Sequence, residues 1–178
     1  VAATNISSTI GNLFNVVFIA MGSAVAIMVG QQLGASEFEK AKDTAAKVIA
    51  FSVCCTLLTS LLMILLSGVF PGLYNTTEDV REMAGAMIRI TAYLMPMQAF
   101  LHATYFTIRS GGRTIITFLF DSGFSWVVAI PFIYGIVHFT GLPILVVFTL
   151  YYSLDFIKAS VGYILLKKGI WLQNIVVD

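Results

Sequence analysis

At 178 residues, with 58% apolar and 11% charged side chains, the chain has too little charge to clothe a water-facing surface. Its mean hydropathy of +0.92 excludes an ordinary soluble domain. A formal net charge of +1 argues against a nucleic-acid partner, which requires clustered basic residues.

Between Thr44 and Val80 only Lys47, Glu78 and Asp79 are charged, and similar charge-poor blocks recur along the chain. They predict an all-α, polytopic membrane helix bundle, because lipid demands that each spanning segment satisfy its own backbone. The first predicted span, residues 6–33, mixes Gly11, Gly22, Ser23 and Gly30 with bulky side chains, a composition that allows close helix packing. The next connection carries Lys40, Lys42 and Lys47 among Glu37, Glu39 and Asp43, and reads as an amphipathic surface helix running into the second span.

That second span, residues 48–70, ends at Pro71 and Gly72. Cys54 and Cys55 within it are adjacent, so they neither staple distant loops nor match a zinc site, and no metal is expected. Thr77, Glu78 and Asp79 suit the start of the third helix, where acidic groups meet unpaired amides. The third span, residues 83–108, contains Pro96, which removes a backbone donor and favours a kink. Arg109 to Thr114 form a glycine-containing basic turn, followed by spans at 115–137 and 143–166.

Lys40, Lys42 and Lys47, then Arg109 and Arg113, then Lys167 and Lys168 follow spans one, three and five, whereas the other connections contribute only Arg81. The positive-inside bias therefore predicts a multi-pass protein of the plasma or bacterial inner membrane, with its first residue outside and its last in the cytoplasm. No basic region precedes the first span, so no signal peptide is expected, and a start at Val1 suggests processing, truncation or one piece of a longer protein.

Several segments, taken in order, resemble the C-terminal half of a MATE (multidrug and toxic compound extrusion) transporter. They are Ala2-Ala3-Thr4-Asn5-Ile6, Gly30-Gln31-Gln32-Leu33-Gly34-Ala35, Arg109-Ser110-Gly111-Gly112-Arg113-Thr114, Trp126 with Ile130-Pro131, and Lys168-Gly169-Ile170-Trp171. The resemblance implies helices eight to twelve of a twelve-helix, two-lobed protein, with helix seven and the N-terminal lobe as missing partners. It further implies export of organic, often cationic compounds, coupled to inward H+ or Na+ and needing no other cofactor. A non-transporting membrane scaffold and a flippase for lipid-linked substrates are the alternatives.

Asp121 lies seven residues beyond the basic turn. A carboxylate there must face protein, water or a cation, so it either couples ion movement or pairs with Arg109, Arg113 or Lys158. Asp155 and Lys158, three apart, are expected to pair on one helix and to lie toward the cytoplasmic end. His102, one turn from Gln98, either takes a proton or is a satisfied core histidine. Asp121, Asp155 and His102 are thus the ion-coupling candidates. Asn12 and Asn15 offer polar contacts to a cavity, joined by Gln98 and His102, while Phe18, Met95 and Tyr105 offer adaptable apolar or aromatic ones. The turn at Arg109–Thr114 lacks the pattern of a phosphate-binding loop, and no enzyme activity is expected.

Overall fold

The computed structural model describes residues 1–174. Five long helices account for most of them: α1 (Ala2–Gly34), α2 (Phe38–Leu66), α3 (Glu78–Ser110), α4 (Thr114–Thr140) and α5 (Ile144–Lys168). A 3₁₀ turn at Phe70–Leu73 lies between α2 and α3.

The side chains are distributed as lipid requires. Leucine gains little by leaving hydrocarbon for protein, so close helix contacts fall to small residues. Along α2 the buried positions are Ala41, Ala45, Ile49, Ser52, Thr56, Ser60 and Met63, every third or fourth residue. Leu57, Leu58, Leu61, Leu62 and Leu65 face outward from the same helix.

Helix α3 is the axis of the bundle and packs against α1, α2 and α5. Four helices, α1, α2, α4 and α5, are long and apolar enough to cross a membrane, and α3 is not among them. Its sequence is diluted by Glu78, Asp79, Arg81, Glu82 and Arg89 near one end and Gln98 and His102 further along. Neighbouring helices cover much of α3, so its composition need not match lipid. Gly22 of α1 lies directly against α3, where an added Cβ would run into the Phe106 ring.

Pro96 leaves α3 continuous from Glu78 to Ser110. Lacking an N–H, Pro96 cannot bond the carbonyl of Ala92, one turn earlier. The buried Ser60 hydroxyl of α2 donates to that carbonyl instead, at 2.5 Å. In α4, a stretch of wider π-type turns covers Leu119–Gly123 and Ser125–Ala129 and closes just before Pro131. Proline also frees a carbonyl there, and the wider helix is a local response to it.

The charged segment after α1 is the opening of α2 itself, a single helix from Phe38 onward. Its charges pair locally, Lys40 with Glu37 at 2.7 Å, Lys42 with Glu39 at 2.8 Å and Lys47 with Asp43 at 2.5 Å. The residues after α5 tie the α1–α2 and α3–α4 connections together at one end of the bundle. Asn174 Nδ2 donates to Ser36 Oγ at 2.6 Å, Gln173 Nε2 to the Gly111 carbonyl at 2.6 Å, and Arg113 Nε to the Ile170 carbonyl at 3.1 Å. Trp171, 2% exposed, packs there with Leu33 and Ala41. The basic turn Arg109–Arg113 and Lys167–Lys168 therefore share that end.

Candidate functional site

All five helices contribute to a cavity of about 360 Å³. From α1 come Asn12, Asn15 and Phe18; from α3, Met95, Gln98 and His102; from α4, Asp121; and from α5, Asp155. These are eight of the nine residues singled out from sequence. The ninth, Tyr105, borders an adjoining space of about 280 Å³ together with Gln98, His102, Asp121 and Lys158.

The polar side chains form two connected groups. Gln98 donates from Nε2 to the Asp155 carboxylate, joining α3 to α5. His102 Nδ1 lies 3.0 Å from the Gln98 backbone carbonyl. A carbonyl only accepts, so Nδ1 carries the proton in this contact. The imidazole also packs against Phe18, with ring centroids 5.7 Å apart.

In the second group, Lys158 Nζ meets Asp121 Oδ1 at 2.6 Å. Of the three bases expected as partners for Asp121 it is Lys158 that reaches across to α4, so the expected Asp155–Lys158 pair does not form and Asp155 takes the Gln98 amide. A contact between helices fixes two elements, whereas an i,i+3 contact would fix one. Nor does Asp155 lie toward the basic end, since it sits near the middle of α5 (Ile144–Lys168). It is half-buried, whereas the Asp121 side chain is 53% exposed and that of Lys158 is 14% exposed. The Lys158 ammonium lies 5.3 Å from the Phe120 ring centroid.

Asn15 adds a buried acceptor, its Oδ1, which has no hydrogen bond among the described residues. An amide oxygen so placed favours a donor or a cation arriving in the cavity. Among the described residues, no group of three His, Cys, Asp or Glu side chains is arranged to hold a metal ion.

Sequence reasoning missed the aromatic lining of Phe124, Phe148, Tyr151 and Tyr152. A signal was present on α5, where Tyr152, Tyr151 and Phe148 precede Asp155 by three, four and seven residues, the spacing of one helix face. Phe124 lies between the two π-type stretches, where ordinary helical spacing does not carry across.

A lipid-compatible helix bundle enclosing an aromatic, acidic cavity defines a polytopic membrane protein built around an internal polar site. The MatE sequence pattern matches residues 1–135, and the chain belongs to the MatE family, whose members are transporters and not enzymes. Over 155 residues it is 20% identical to YisQ, an uncharacterized transporter of Bacillus subtilis (strain 168). That match covers 87% of this chain and 34% of the relative, so the chain spans about a third of the length of the curated relative it matches. No solved structure matches the chain.

Proposed function

We propose that these helices belong to the C-terminal lobe of a twelve-helix MATE transporter, with α1 to α5 as its helices eight to twelve. The transporter exports organic cations in exchange for inward H+ or Na+. Family membership supports the transport class. The observation that carries the cation reading is the cavity, where Asp155 lies among Phe18, Phe148, Tyr151 and Tyr152 on a neutral amide donor, with no ion pair among the described residues. Aromatic faces and a carboxylate together suit a flat or greasy cation, and apolar burial does not demand one ligand shape.

Asp155 is the coupling carboxylate in this reading, because Lys158 already neutralises Asp121. Protonation or sodium binding at Asp155 competes with the organic cation. The two states then differ in affinity for cargo, as alternating access requires. His102 and Gln98 hold the adjacent polar positions. The shared location of the Arg109–Arg113 and Lys167–Lys168 segments supports placing that end in the cytoplasm, with α3 as a fifth span.

A second reading, export of cargo carrying a lipid tail, draws on an apolar recess of about 580 Å³ between α4 and α5. It shares Ser125, Ala129 and Tyr151 with the main cavity. Counterflow in proteoliposomes of the complete transporter separates the two. Tetraphenylphosphonium should move under a pH or a sodium gradient. Movement of a fluorescent lipid alone would favour the second reading, and movement of neither would defeat both.

A further inference from the structure

A lysine within a cation-binding cavity needs an explanation, because its own charge opposes the cargo and its burial is costly. Lys158 is 14% exposed, on the face of α5 that carries Asp155 one turn earlier. Both carboxylates line the cavity, yet the ammonium sits at 2.6 Å on Asp121 while Asp155 takes a neutral amide donor from Gln98. The other polar rings of the cavity are His102, which faces a backbone carbonyl through Nδ1, and the phenols Tyr151 and Tyr152. Arg109 borders a smaller recess that Asp121 also lines, and makes no ion pair with it.

We infer that Lys158 sets the charge selectivity of the cavity: by occupying Asp121 it leaves Asp155 as the one carboxylate open to cargo, and so selects singly charged organic cations over doubly charged ones. The inference rests on the cation-export reading and adds a residue and a substrate class to it. Two carboxylates against one ammonium leave a single net negative charge, which one monocation neutralises. A dication would leave excess positive charge in a low-dielectric space. Removing the ammonium reverses the preference by opening a second carboxylate.

The test compares tetraphenylphosphonium, a monocation, with methyl viologen, a dication, in proteoliposomes of the complete transporter. In Lys158→Gln the ratio of methyl viologen to tetraphenylphosphonium affinity should rise about tenfold, the scale of one added charge at cavity distances. Asp121→Asn should weaken both cations, because the released ammonium can turn to Asp155. The double variant Asp121→Asn/Lys158→Gln restores the single negative charge and should return the ratio to that of the unaltered protein. A merely structural pair would lower both activities together and leave the ratio unmoved in every variant.

An unchanged ratio in folded Lys158→Gln overturns the inference. Should that variant fail to fold, Asp121→Asn and the double variant decide: recovered tetraphenylphosphonium binding in the double supports the assignment, and no recovery overturns it. If the unaltered transporter moves tetraphenylphosphonium while the ratio never shifts, the cation reading stands and the role of Lys158 falls. If it moves neither cation, the cation reading fails and the assignment with it.

Discussion

Helices α1, α2 and α3 pack along one another, whereas α4 and α5 meet each other only sparsely. The difference lies in which residues each pair brings together. At the tight contacts stand Gly22, Ala41, Ala45, Ala84, Ala92 and Ser60, all too small to hold helices apart. Helix α5 buries only Val147, Leu154 and Gly162, and the adjoining face of α4 carries the wider π-type turns. The two charges placed deepest in α5, Asp155 and Lys158, belong to the loose region, and α1 has none. Close packing supplies a frame, and the open side next to it can hold water, charge and cargo.

The largest expected effect lies on the open side. Asp155→Asn should abolish gradient-driven accumulation of tetraphenylphosphonium while leaving the melting temperature near that of the unaltered protein. A loss of folding without any functional variant retaining the coupling would place Asp155 in the frame instead. Next comes Gly22→Val, whose added carbons meet the Phe106 ring. It should destabilise the protein by about 1–3 kcal/mol, the usual range for overpacking, as read from denaturation in detergent.

Ser60→Ala removes the donor that serves the Ala92 carbonyl freed by Pro96. An unpaired buried acceptor costs roughly 1–2 kcal/mol, and Ser60→Thr, which keeps the hydroxyl, should cost less. Equal losses from both would show that Ser60 matters for its size alone. The smallest effect belongs to the lipid face. Leu58 is 72% exposed, and Leu58→Ala should change stability by less than about 0.5 kcal/mol, although the same substitution in a soluble core would be severe.

Much of this contrast was legible in the sequence. Charge-poor blocks announced membrane helices, and Asn12 and Asn15 of α1 line the cavity, but of Gly11, Gly22 and Gly30 only Gly22 meets a neighbouring helix, whereas the other two have open space beside them. The partner of Lys158 was legible only as an alternative: Asp155 stood three residues away on the same helix, Asp121 had Lys158 among its three possible bases, and the choice depends on how α4 lies against α5, which a separation of 37 residues hides. Likewise, Pro96 announced a freed carbonyl, but only the packing of α2 on α3 shows that Ser60 answers it. Hydropathy described α3 poorly for a related reason: it reads composition, whereas the neighbours of α3 decide how much of that composition meets lipid.

Cysteine labelling in the complete transporter tests most directly whether the open side is a transport cavity. In a background with Cys54 and Cys55 replaced by serine, single variants Asn12→Cys, Ser125→Cys and Leu58→Cys would be exposed to a water-soluble, cationic thiosulfonate reagent. The predicted result is rapid modification at Asn12 and Ser125, slowed by tetraphenylphosphonium, and no modification at Leu58. Modification at Leu58 as fast as at Ser125, or labelling of the cavity positions untouched by the cation, would contradict the account.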